Sequence, residues 1–258
     1  TPFAPELQNY VKSENTVSSH RVMGYMQRNF DFYSEKSMTS ILLGLRAHYW
    51  SFNNDFFISP RISANYKPNW EKDMLFRLSA GAYAQSPFYR EYRYKDGSIN
   101  HNIKTQKSYQ VMGTFDYNFV WGDKPFKLTG DVYYKYITDL IPYEIDNMRI
   151  RYMAENNAVG YSAGVSLRIN GEFVDGVESW ASISLMKTQE DIEYDNYGWI
   201  SRPTDQRFMV KLFFQDYMPS LPWMRVSLNF VYGTGLPFTK PGQTDFSTTH
   251  RFPSYFRV

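Results

Sequence analysis

Hydrophobic residues in this chain recur at every second position far more regularly than at helical spacing. In "FISPRISANYKPNWEKDMLFRLSAGAYAQSP", residues 57–87, one set of alternate residues in each half is almost wholly apolar. The intervening set reads Ser59, Arg61, Ser63, Asn65 and Lys67, then Arg77, Ser79, Gly81, Tyr83 and Gln85. A period of two marks a strand whose side chains alternate between two environments. The pattern predicts a series of strands of roughly 9 to 15 residues, the length range of tilted membrane-crossing strands.

Ile41, Leu43, Leu45, Ala47 and Tyr49 oppose Gly44, Arg46 and His48, and Phe56, Ile58, Ile62, Ala64 and Tyr66 oppose Ser59, Arg61, Ser63 and Asn65. Met74, Phe76, Leu78, Ala80, Ala82 and Ala84 then face away from Arg77, Ser79 and Gln85. Val111, Phe115, Tyr117 and Phe119 oppose Gln110, Thr114, Asp116 and Asn118. In the longest segment Phe126, Leu128, Val132, Tyr134, Tyr136 and Leu140 oppose Lys127, Thr129, Asp131, Lys135 and Asp139. Further strands are predicted over 159–169, 177–185, 208–214 and 224–232, and "FPSYFRV" begins an eleventh. The first, over 22–32, is the least regular because Arg28 falls on its apolar face.

The connections sort by length. From residue 67 onward short links such as "KPNWEKD", "WGDKP", "GEFVDG" and "PSLP" take turns with long ones such as "SPFYREYRYKDGSINHNIKT", "IPYEIDNMRIRYMAENN" and "QEDIEYDNYGWISRPT". Tight turns at one rim and long loops at the other are the layout of an outer-membrane barrel. Aromatic residues Tyr66, Trp70, Phe119, Trp121, Phe126, Phe173, Tyr217 and Trp223 lie beside the short turns, where an interfacial girdle holds amphipathic rings. The expected architecture is therefore all-β, an antiparallel transmembrane β-barrel with its apolar face turned to lipid. Arg46, His48, Arg61, Arg77, Asp116, Asp131 and Lys135 then face a wet lumen. Unpaired edges in lipid cost several kcal/mol per backbone group, so the strands must close with others.

Composition fits this picture without demanding it. Aromatics make up 19% of the 258 residues, with 22 Tyr, 20 Phe and 6 Trp, too rich for a disordered chain. A mean hydropathy of −0.52 would suit a soluble protein, yet membrane strands also score low because only every second residue meets lipid. The net charge of +2 implies no nucleic-acid partner, and the absence of cysteine excludes disulfides and thiolate metal sites. No stretch approaches the ~20 apolar residues of a membrane-spanning helix.

Chemistry has few footholds. His20, His48, His101 and His250 show no metal-binding spacing, so neither a metal centre nor a cofactor is expected. The acidic stretch with Glu190, Asp191, Glu193 and Asp195 lacks EF-hand spacing and reads as a solvated loop. In "VYGTGLPF" no lysine stands at the phosphate-loop position, and the glycines are expected to bend a strand at the outer rim. The long loops offer Tyr89, Arg90, Tyr92 and Arg93, then Arg149, Arg151 and Tyr152, then Tyr194, Tyr197 and Trp199. Tyrosine and arginine combine contact area with hydrogen bonding, so these ten are candidate ligand-binding residues; packing of the loops is the alternative use for them.

"ISPRISANYKP", "AGAYAQSPFYRE", "DLIPYEIDNMRIRY", "GEFVDGVESWASISLMKTQED", "RPTDQRF", "VYGTGLPF" and the terminal "RFPSYFRV" together resemble the C-terminal half of the barrel of TonB-dependent outer-membrane receptors, in the style of the Bacteroidota. The resemblance runs from about residue 20 to the end, and implies that residues 1–258 are the C-terminal part of a transmembrane barrel domain, about 11 strands of a 22-stranded wall. It implies uptake of a scarce ligand in the bacterial outer membrane, energised by a TonB complex acting through a plug domain outside this chain. In some branches a surface lipoprotein is a further partner. The chain has no recognisable plug or TonB-contacting box and ends on Val258 without the usual terminal aromatic, so a fragment is expected. Three rivals stand beside it: a complete small pore or structural barrel, an outer-membrane hydrolase with His48 as base, and a soluble sugar-binding β-protein.

Overall fold

The computed structural model describes residues 13–146, 149–218, 220–238 and 250–258. Every regular element among them is a strand. In chain order these are β1 (Arg21–Ser34), β2 (Ser37–Trp50), β3 (Asp55–Pro68), β4 (Asp73–Gln85), β5 (Gln106–Trp121) and β6 (Lys124–Leu140). A short pair, β7 (Tyr143–Asp146) and β8 (Arg149–Tyr152), precedes β9 (Ala158–Val174) and β10 (Val177–Ile192). Then follow β11 (Ile200–Ser201), β12 (Phe208–Met218), β13 (Leu221–Gly233), β14 (Pro237–Phe238), β15 (His250–Arg251) and β16 (Tyr255–Arg257).

One antiparallel sheet follows the path β1-β2-β3-β4-β5-β6-β9-β10-β12-β13-β16, with β11 attached to β10. Each alternating segment of the sequence occupies one strand of this path. Several strands outrun the expected length, with β6 and β9 reaching 17 residues each. The pairs β7–β8 and β14–β15 form separate two-stranded sheets inside long connections that the sequence alone presents as loops. The path ends at β1 and β16 without pairing them to each other.

Register makes the two faces explicit. Leu78, Gly113, Val132, Val165 and Leu185 are successive cross-strand partners from β4 to β10. One residue earlier on β4, the row Arg77, Thr114, Asp131, Ser166 and Ser184 lies on the opposite face. Period-2 geometry thus separates an apolar surface from a polar one across five strands. The apolar surface is not a dry core: Leu43 is 44% exposed, Ile62 47%, Leu78 59% and Val132 56%.

Short turns join the strands at one end. Between β5 and β6 the two turn residues Gly122 and Asp123 both take left-handed backbone angles, φ 59° and 60°, as the tightest hairpin turns require. Gly176, with φ 72°, serves the β9–β10 turn. At this end Trp121 and Phe173 pack on Phe126, with ring centroids 5.7 and 5.0 Å away. Phe126 itself is buried, because it lies over Gly171, where an added Cβ would meet its ring at 2.5 Å. Phe115 on β5 covers its cross-strand partner Gly130 in the same way, four residues beyond Phe126 on β6.

These ring-over-glycine contacts fill the apolar face where the backbone would otherwise stand bare. Gly171→Val is expected to expel the Phe126 ring and cost about 1–3 kcal/mol, the usual penalty of overpacking. The measurement is the unfolding midpoint in lipid vesicles. Gly24→Val, where a new Cβ meets nothing within 4 Å, is the matched control and should leave the midpoint in place.

Candidate functional site

The polar face carries two kinds of wall. Toward the short turns the carboxylates Asp73, Asp116 and Asp131 are each answered by neighbouring donors. Asp116 accepts hydrogen bonds from Thr129 Oγ1 at 2.8 Å and from Arg77, and Lys127 Nζ lies 3.2 Å from it. Asp131 accepts from Thr114 Oγ1 at 2.8 Å and from Ser166 Oγ at 3.1 Å. Lys67 pairs with Asp73 at 2.8 Å. Such a network holds neighbouring strands in register and leaves little unspent charge.

Toward the long connections the wall changes character. The β3–β4 ladder runs from Tyr66↔Phe76 to Arg61↔Gly81 and stops there. Pro60 follows on β3 without an N–H to donate, and the two strands separate beyond it. A cavity of about 620 Å³ opens on the polar face at this split. Its lining includes Arg21, Arg46, Arg61, Lys107, Lys135 and Arg202, against a single carboxylate, Glu91. Lys107 is neutralised by Asp139 at 2.9 Å, and Arg202 by Glu190 at 3.0 Å. Arg21 donates to the Pro87 carbonyl at 3.0 Å, with its guanidinium over the Trp50 ring.

The remaining three cations have no carboxylate at salt-bridge distance among the described residues. Arg61 lies across Gly81, where a Cβ would meet its Cγ at 3.2 Å, and stacks 4.7 Å from the Tyr83 ring centroid. Arg46 donates one N–H to Met23 Sδ at 2.8 Å, a weak acceptor. Lys135 lies on the same cross-strand row as Arg61, through Gly81 and Gln110. His48 also lines the cavity; it is buried, and its Nε2 has no hydrogen-bond partner among the described residues.

Asp139 reaches Lys107 because of a bulge. The β6–β9 register shifts between Ile137 and Leu140, and Asp139 takes a φ of 53°. Strict alternation puts Asp139 in line with Lys135; the bulge instead turns it toward β5.

Above the cavity the long connections build a core of their own. Trp50, Tyr92, Ile103 and Ile141 are buried together, with Phe52, Ile99 and Tyr152 packed against them. Phe52 lies 5.1 Å from both Trp50 and Tyr92, centroid to centroid. Polar contacts pin the backbone around this core. Asp55 accepts from the Thr105 N–H at 2.9 Å, and Asn156 accepts from the Lys104 N–H at 2.7 Å while donating to the Asp139 carbonyl.

The candidate loop residues are therefore distributed unevenly. Tyr92 belongs to the buried core, where desolvation raises its hydroxyl above the ordinary tyrosine range. Tyr89 is exposed with its ring edge against Tyr92, Arg90 is exposed, and Arg93 donates to Ser13. Tyr152 packs on the core beside Tyr143, and Arg151 stands opposite Glu144 in the β7–β8 register. The side chain of Arg149 lies outside the described residues. Tyr194, at 92% exposure, stands out on a turn, Tyr197 is exposed beyond it, and Trp199 sets its ring edge on Tyr161 at 5.2 Å. Glu190 and Asp191 fall within β10, not in a solvated loop, and Glu190 is buried against Arg202.

A second cluster went unread in the sequence. The Asp205 carboxylate is fully buried and accepts from the Thr188 N–H at 2.7 Å, from Arg207 Nε at 2.6 Å and from Arg251. Arg251 also donates to the Asp205 carbonyl at 2.6 Å and to the Gly235 carbonyl at 3.3 Å. One carboxylate thus ties β10, the link into β12 and β15 together. In "GTG" the glycines serve approach more than bending. A Cβ on Gly235 would overlap the Phe252 carbonyl oxygen, and one on Gly233 would meet Gln206 Nε2 at 2.5 Å.

Compared with known proteins, residues 1–258 match a family model described as TonB dependent receptor-like, beta-barrel. No curated protein matches the chain.

Proposed function

The chain belongs to the TonB-dependent receptor-like β-barrel family, and from that membership we propose that it forms half the wall of an importer carrying a scarce ligand through a plugged barrel. Receptors of this family reside in the bacterial outer membrane and act in transport with TonB. The row from Leu78 to Leu185 meets lipid, and further strands close the sheet so that no backbone edge is left open in the bilayer. The ligand is captured at the rim of long connections and passes down the polar face. A plug domain outside these residues moves when the TonB complex pulls on it, and a surface lipoprotein covers the long rim in branches that use one.

The observation that carries this reading is the joint position of three features. A cavity rich in cations lies on the polar face, immediately beneath the long connections, while the opposite face is apolar and exposed. A passive structural barrel has no need of three cations at its mouth that lack a carboxylate at salt-bridge distance among the described residues. The test is uptake by whole cells of iron chelates, glycans, peptides and cobalamin, each supplied as the limiting nutrient. Uptake of one of them should require both the receptor and a working TonB complex. Uptake that continues at full rate without TonB would make the protein a pore.

A further inference from the structure

We propose that the cavity at the β3–β4 split binds a multiply anionic small molecule, its carboxylate or phosphate groups held by Arg46, Arg61 and Lys135. This deepens the importer reading and rests on it. A volume of about 620 Å³ is the size of a small-molecule site. Arg61 and Lys135 occupy one row across four strands, with Gly81 and Gln110 between them and no intervening acid. Asp116 and Asp131, by contrast, are each satisfied by neighbours on the same face.

The guanidiniums are poised for this ligand. Arg61 is steadied by Tyr83 and by the space above Gly81, and its donors remain available for the bidentate pairing that carboxylate and phosphate accept. Arg46 spends one donor on a thioether, which an anionic oxygen replaces with a stronger bond. His48 lines the same cavity, and its buried Nε2 has no hydrogen-bond partner among the described residues.

The experiment uses the full-length receptor purified in detergent at low ionic strength, titrated calorimetrically. The probes are benzene-1,3,5-tricarboxylate and inorganic phosphate, with glucose as the uncharged comparison. At least one anion should bind, with affinity falling as salt is raised toward about 0.5 M, where screening is short-ranged. The anion that binds identifies the preferred group. The triple variant Arg46→Gln, Arg61→Gln, Lys135→Gln should bind at least tenfold more weakly, while Arg168→Gln, a cation stacked on Trp180 elsewhere on this face, should bind as the wild type does. Should the triple variant fail to fold by heat-modifiable migration, Lys135→Gln alone carries the test with an expected fivefold loss.

Three results would overturn the proposal. They are a wild-type receptor that binds neither anion, neutralisation variants that bind as tightly as wild type, and an equal loss in Arg168→Gln. Anion binding in detergent needs no TonB complex, so it can succeed where energised uptake fails, and the reverse.

Discussion

Val132→Arg is expected to cost the folded barrel about 2–4 kcal/mol in a bilayer, the penalty for a cation on the lipid face near the midplane. Val132 is the central residue of β6 and 56% exposed, and its row carries only Leu, Val and Gly from β4 to β10. Leu78→Arg, in that row, should behave alike. Ser79→Arg, one position along β4, points to the polar face beside Met112 and should change stability little. Equilibrium unfolding of the full-length receptor in lipid vesicles measures all three. A costly Ser79→Arg beside a harmless Val132→Arg would reverse the two faces and remove the membrane reading with them.

The second large effect concerns the clamp over the outer rim. Asp205→Ala is expected to open the contact among β10, β12 and β15 by about 2–3 kcal/mol. It leaves the Thr188 N–H without its acceptor and two guanidiniums without their anion. The estimate sits below that for a fully buried ion pair because Arg207 and Arg251 are partly exposed and water can take over some of the loss. Amide hydrogen exchange at Thr188 reads this directly, and should quicken roughly a hundredfold.

Acidity should act on the same contact. Burial opposes the charge on Asp205, but the Thr188 N–H and the Arg207 and Arg251 guanidiniums outweigh it and hold the carboxyl below its ordinary range. A group with a depressed folded pKa stabilises fully above the unfolded value, and its contribution disappears as pH falls through the folded one. Protection at Thr188, corrected for intrinsic exchange, should therefore decline only below the usual aspartate range in the wild type. Asp205→Asn keeps an acceptor for Thr188 but no charge, and its protection should be lower and flat with pH. Identical profiles in the two proteins would mean that the clamp is not electrostatic.

Much of the fold was legible because membrane strands obey a local rule. Each residue on an alternating strand sees either lipid or water, so the Ile62, Leu78 and Val132 positions and the Arg61, Arg77 and Asp131 positions separate without knowledge of the partner strand. Even the irregularity at Arg28 survives in the structure, where it pairs across from Leu43 on the apolar face and its guanidinium lies 5.2 Å from the Phe30 ring. The end of the β3–β4 ladder went unread, although Pro60, which has no N–H to donate, stands just past its last pair. Tyr92 was harder to place, because a tyrosine in a loop suits ligand contact and loop packing equally until Trp50 and Ile103 are known to surround it.

By itself, then, the sequence determined the strands of the main sheet, their two faces and the sorting of short turns from long connections, since all three follow from spacing within a few residues. Only the tertiary structure decided which distant groups meet. Arg251 reaches Asp205 across 46 positions, and the cavity draws Arg46, Arg61 and Lys135 from three different strands. Such meetings depend on register, on the bulge at Asp139 and on the split after Pro60, and a shift of one residue in any ladder would send each of these side chains to the opposite face.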